Sequence, residues 1–409
     1  MTNQFSTRLC FFLVVCFALV AAPVFSQGEC RWNEGHFPQG PVGDVRAMAV
    51  YDDGSGPALY VGGDRFGDVA RWDGSQWSTI GSVGFGSHPG SVYAMAVFDD
   101  GSGPALYVGG WFKEAEGITV NSIAKWDGIR WSALKGVEPG GAGTDFPVED
   151  LVVVDDGKDR FLAVGGQFMR AGGKKVWRAA RWNGQRWLGF SGPRKMGFDD
   201  DVFSLEVFDD GSGSQQLYAG GWFVRAGGSR AFGVARWDGR RWHPVGNAEQ
   251  PGILGAALDL VVVRSGPLEG LYAVGVIVDV ARLQADAVAR WDGERWVPLP
   301  GQPRIWDARA AVQFEDGDGQ GLYVAGRGWD YGEWARASLN RWDGQEWNGV
   351  PGTFYSDEMN GSFRALLVFD DGSGPALYAG GEFELLGENG SENIARLTCV
   401  STKSVEVQK

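Results

Sequence analysis

The chain is poor in histidine and cysteine, with three of the first and four of the second. It is short of positive charge as well: 37 Lys and Arg against 51 Asp and Glu leave a formal charge of −14. Beyond the first 26 residues it has no apolar run long enough to cross a bilayer. GxSxG, HExxH and phosphate-loop signatures are absent too. Each shortage excludes something. An acidic chain lacks the basic surface that nucleic acid or an anionic membrane requires. With no catalytic signature and histidines scattered at 36, 88 and 243, no catalytic residue is nominated.

What is present begins with an export signal. Arg8 is the only charge before an apolar run at 9–22, and Val24, Phe25 and Ser26 precede a cut near Ser26/Gln27. A lipoprotein signal would want a small residue before Cys16, and Val15 stands there. The reading is a signal peptide over 1–26, one domain over 27–400 and a polar tail over 401–409. The mature protein is expected outside the cytoplasm, extracellular or periplasmic, as a monomer. Cys10 and Cys16 leave with the signal, and the formal charge moves to −15 with Arg8. Cys30 and Cys399 remain, a candidate disulfide near the two ends.

Two phrases then alternate along the chain. LYVGG and its variants begin at 59, 106, 162, 217, 271, 322 and 377. RW(D/N)GxxW is led by Trp72, Trp126, Trp182, Trp237, Trp291 and Trp342. A period near fifty with short strands predicts an all-β, seven-bladed β-propeller of four-stranded antiparallel blades. In the second unit the strands are expected at 92–100, 105–110, 123–126 and 130–134. Asp-Asp-Gly-Ser-Gly joins the first two, and Asp-Gly joins the last two as a two-residue turn. That turn pairs Trp72 with Ser75 and Ala70 with Trp77. Basic residues at 71, 125, 181, 236, 290, 341 and 396 fall on the other face, where charge protects a strand edge. The seventh unit has ARLTC at 395–399 in place of the Trp hairpin, and CRWNEGHF at 30–37 echoes what it lacks. The N-terminal segment therefore pairs with the last blade and closes the ring, bringing Cys30 and Cys399 together.

LYVGG followed by a spacer and paired aromatics resembles the kelch repeat over essentially the whole mature chain. The resemblance implies a kelch-like or galactose-oxidase-like seven-bladed propeller. The RW(D/N)G turn departs from the usual kelch spacing. A copper oxidase of that type needs two histidine ligands and a cysteine-linked tyrosine near the channel, and the two mature cysteines are already assigned to closure.

The strand order puts the tight turns on one face and long, dissimilar loops on the other, where binding resides. Of nineteen tryptophans, six lie outside the hairpins and their N-terminal echo: Trp111, Trp177, Trp222, Trp306, Trp329 and Trp334. All fall on or beside the variable-loop face and are the candidate ligand-binding residues. Asp150, Asp201, Asp259 and Asp307 share that side and are the candidate ligands of a calcium ion, should one bind; no other cofactor is expected. Arg46, Arg309 and Arg364 share one inner-strand register. The reading is a secreted, non-catalytic binding or interaction module for a glycan or an exported protein. Its rivals are a carbohydrate-active enzyme, hydrolase or lyase, using the channel carboxylates, and a purely structural envelope protein.

Overall fold

The computed structural model describes residues 29–32, 43–64, 67–136, 141–190, 197–211, 213–279, 287–301, 303, 305–330, 333–350, 354–355, 361–385 and 392–400. The signal peptide, His36, Phe37 and the polar tail lie outside them. Among the described residues every regular element is a strand, and no helix is long and apolar enough to cross a membrane.

The strands form the antiparallel blades of a β-propeller. Six blades are each cut from one continuous stretch. The second shows the plan: inner strand Ser91–Asp99, then Pro104–Trp111, Ile123–Trp126 and outer strand Trp131–Ala133. A further sheet takes Ser362–Asp370, Pro375–Leu385 and Glu392–Val400 from the C-terminal end and Glu29–Trp32 from the N-terminal end. There Trp32 pairs with Leu397 and Cys30 with Cys399, and the two cysteines form a disulfide. Its inner strand packs between those of the sixth and first blades.

The repeated phrase now has a physical account. Asp52 accepts the N–H groups of Gly54 and Gly56 at 2.8 and 3.0 Å, capping the turn. Asp53 accepts from Ser55 and from the Tyr60 hydroxyl at 3.0 Å, and Arg71 reaches it at 3.3 Å. The same Asp–Tyr–cation trio recurs as Asp100–Tyr107–Lys125 and Asp371–Tyr378–Arg396. Burial opposes charge on these aspartates, but the hydrogen bonds and the cation win, and all three are held below the usual carboxylate range. The tyrosines are fully buried.

The glycine pair admits two neighbours. A Cβ on Gly62 would sit 2.8 Å from Val92 of the next inner strand, and one on Gly63 would sit 1.9 Å from the carbonyl oxygen of Asp44 in its own. Gly380 bears the same relation to Val45, linking the last sheet to the first blade. Tryptophan ties blades as well. The Trp131, Trp187 and Trp296 indoles donate to the carbonyls of Ile80, Leu134 and Val245, one repeat back, at 2.9–3.3 Å. Burying such a ring contributes about 2 kcal/mol or more.

Two expectations are corrected. The RW(D/N)G turn is four residues long, so Trp72 faces Trp77 directly, ring centroids 5.3 Å apart, and Ala70 pairs with Thr79. Asp73 lengthens the turn by accepting the N–H groups of Ser75 and Gln76, which take its pKa down to about 2. The basic residues do not guard an edge, because the third strand is paired on both sides. Arg71, Lys125 and Arg396 instead serve the turn aspartates.

Candidate functional site

Each inner strand carries a bulge at the same place, where one glycine of its partner (Gly63, Gly110, Gly166, Gly221, Gly275, Gly326 or Gly381) leaves room. In the first blade pairing jumps from Val45 to Ala47, and Arg46 is the extra residue. In chain order the bulges then set Tyr93, Glu149, Phe203, Leu258, Arg309 and Arg364 at the equivalent place. All seven line one central cavity of about 710 Å³. A bulge re-aims a side chain that regular pairing would lock into the sheet, and here it supplies one cavity residue per inner strand.

The cavity wall is divided by charge. Arg309, Arg364 and Arg46 come from inner strands that pack in succession. Arg46 reaches Asp44 at 3.1 Å and Asp64 at 3.2 Å. Arg364 shares Asp44 at 2.6 Å, and Arg309 holds Asp307 at 2.8 Å. Burial works against the Arg46 charge, yet Asp44 and Asp64 raise its pKa above the ordinary value. The Arg364 pKa is lowered, by burial first and by Arg46 and Arg309 beside it. Across the cavity the carboxylates behave oppositely. Burial raises the Glu149 pKa, against a hydrogen bond of 2.7 Å from Gln167.

Asp150 and Asp259 also line the cavity, and they brace neighbouring blades. Asp150 accepts the N–H groups of Leu151 at 2.7 Å and of Leu205, on the next inner strand, at 2.6 Å. Asp259 accepts from Ala311 of the next inner strand at 2.9 Å and from the Ser204 hydroxyl at 3.3 Å. Burial outweighs these donors and raises both carboxyls to about 7.

Of the candidate metal ligands, Asp150, Asp259 and Asp307 meet at the cavity. Asp201 instead pairs with Arg178 at 2.7 Å, and burial raises its pKa. Among the described residues no group of three His, Cys, Asp or Glu is arranged to hold a metal ion. N–H and hydroxyl donors engage both oxygens of Asp150 and of Asp259, and a guanidinium engages one oxygen each of Asp201 and Asp307.

The tryptophans separate into places. Trp222 and Trp306 stand in the cavity wall, 46% and 41% exposed, with Arg327 5.5 Å above the Trp306 ring. Trp111, 39% exposed, lies between Phe85 and Phe146 beside a lateral groove of about 320 Å³. Trp177 lies under Lys175 at 3.8 Å, with φ at 61°. The side chains of Trp329 and Trp334 fall outside the described residues. Sequence reasoning placed Arg46, Arg309 and Arg364 in one register but missed Tyr93, Phe203, Leu258 and Arg327. The available signal was the last glycine of each LYVGG-type phrase, whose missing Cβ makes room for the bulge.

No protein-family model matches the chain, and no curated protein matches it. Solved structures do. One is BBS1N in complex with ARL6DN, 13% identical, with a TM-score of 0.46, covering 91% of this chain and 97% of that one. Another is a structure described as an oxidoreductase (glucose dehydrogenase) from Thermus thermophilus, 15% identical, with a TM-score of 0.38, covering 91% of this chain and all of that one. At these scores neither likeness carries an argument about ligand or activity.

Proposed function

We propose that this protein is a secreted, non-catalytic binding module of kelch-like, seven-bladed plan, whose ligand is a glycan docked at the variable-loop mouth of the central cavity. In this reading the sheet shared by the two ends is the seventh blade and closes the ring. The observation that carries the binding proposal is the cavity itself. It is concave, lined largely by arginines, carboxylates and other polar groups, and carries two half-exposed indoles, which suits a polar ligand with a flat apolar face. Flat apolar faces beside arginines and carboxylates suit sugar rings, which present a C–H face and a rim of hydroxyls.

The test is a polysaccharide array probed with residues 27–409, with and without calcium. A hit weakened at least tenfold by Trp306→Ala or Trp222→Ala supports the reading. A clean negative in both conditions overturns it and turns the search to exported proteins by pull-down. One observation favours the enzyme rival: Asp150 and Asp259 titrate near neutrality, as a general acid does. Against it, both oxygens of each are occupied by structural donors. Release of new reducing ends from a bound glycan would favour the enzyme.

A further inference from the structure

Four guanidinium groups line the cavity, and their carboxylate partners are unequally shared. Arg46 and Arg364 have Asp44, with Asp64 and Glu382 at their flanks. Arg309 places both Nε and Nη2 on the same oxygen of Asp307, at 3.0 and 2.8 Å. The other oxygen, Oδ1, is buried and has no hydrogen-bond partner, in a residue 3% exposed. Arg327 lies over the Trp306 ring. Among the described residues it has no carboxylate partner, and its buried Nε has no acceptor.

The wall thus offers a cation with no carboxylate partner among the described residues, and the half-exposed indoles of Trp222 and Trp306. We infer, resting on the glycan reading above, that the cavity recognises an acidic sugar of the uronic-acid class. Its carboxylate meets the Arg327 guanidinium, and its ring lies against the tryptophans. A planar carboxylate suits a guanidinium, which presents its donors as a flat fork. Arg46, Arg309 and Arg364 on the same side are matched by Asp44, Asp64, Asp307 and Glu382, which leaves Arg327 as the cation for the ligand's carboxylate.

The experiment is isothermal titration of residues 27–409 with short oligomers of galacturonate, glucuronate and mannuronate, each beside its carboxyl-reduced, neutral counterpart, and with a sulfated neutral oligomer. The expected result is that one acidic oligomer binds at least tenfold more tightly than its reduced counterpart. Arg327→Gln weakens it about 10–100-fold, the range for a charge-assisted hydrogen bond. Arg240→Gln removes the same charge from an exposed hairpin turn on the tight-turn face and leaves binding unchanged. Should Arg327→Gln not fold, Arg327→Lys keeps the charge but loses the fork, and is expected to weaken binding at least fivefold. Equal binding of acidic and reduced oligomers overturns the inference and leaves the glycan reading standing. So does tighter binding of the sulfated oligomer, or an equal loss from Arg327→Gln and Arg240→Gln. Failure of every oligomer, together with a blank array, removes both.

Discussion

Replacing Cys30 and Cys399 together by serine cuts a covalent link between residues 369 apart in sequence. The cross-link acts mainly on the unfolded chain, which without it gains the freedom of an open end. For a loop of this length the chain-entropy treatment gives about 6 kcal/mol at 25 °C. That is a ceiling, because unfolded chains keep residual contacts. The N-terminal strand adds little resistance of its own. Among the described residues, Glu29–Trp32 pairs with the C-terminal strand over four residues, with Trp32 stacked on Phe363 at 6.1 Å. The double variant is therefore expected to lose about 3–6 kcal/mol, and reduced wild type to match it. Urea unfolding followed by tryptophan fluorescence reads the loss, and hydrogen exchange over Glu392–Val400 shows whether this sheet opens first. A loss below about 1 kcal/mol, with unchanged exchange, would refute the reasoning that the link constrains the whole ring.

Three further outcomes are expected. Arg396→Met leaves Asp371 without its cation at a pair whose side chains are 4% and 2% exposed, and costs about 3 kcal/mol. Arg130→Met, at an exposed pair with Asp127, costs under about 1 kcal/mol, and equal losses would contradict the burial argument. Gly184 and Gly239 occupy the same repeat position with φ of 90° and 89°, but a Cβ on Gly184 would lie 2.5 Å from the Asp100 carbonyl while Gly239 has open space. Both alanine variants lose about 1 kcal/mol to the backbone, and Gly184→Ala loses about 1–3 kcal/mol more; equal melting temperatures would rule out the inter-blade contact. Asp150 and Asp259 keep their protons up to about 7 in the fold but ionise near 4 when unfolded. Below pH ~4 they make no difference, between ~4 and ~7 the unfolded state gains, and native stability falls as pH rises. The advantage of the Asp150→Asn/Asp259→Asn variant over wild type should therefore grow across that window, and a constant offset would refute the burial of these groups.

The blade plan was legible because most repeats state it more than once, with Asp-Asp-Gly-Ser-Gly in four of the seven units and the tryptophan pair in six. Asp-Asp-Gly-Ser-Gly fixes the first turn, alternating apolar residues mark the strands, and the tryptophan pair marks the outer hairpin. The terminal cysteines and the Trp32 echo pointed to a shared sheet before any contact was known. The register of the outer hairpin was not legible. Asp-Gly alone reads as a two-residue turn, and only the capping by Asp73 makes it four. The cavity was half legible. Arg46, Arg309 and Arg364 align by counting, but their projection depends on a bulge that forms where a single glycine faces the inner strand. Separation of Trp222 and Trp306 from Trp111 depends on loops whose sequences do not repeat, so no period could predict it.

The central claim is that function resides at the variable-loop mouth of the cavity. Hydrogen-exchange mass spectrometry of residues 27–409, with and without the tightest array glycan, tests it most directly. The account predicts slowed exchange in peptides spanning 44–48, 218–223, 305–311 and 362–366, and none in the turns at 53–56, 73–76 and 371–374. Protection confined to those turns, or to the groove beside Trp111, would contradict it.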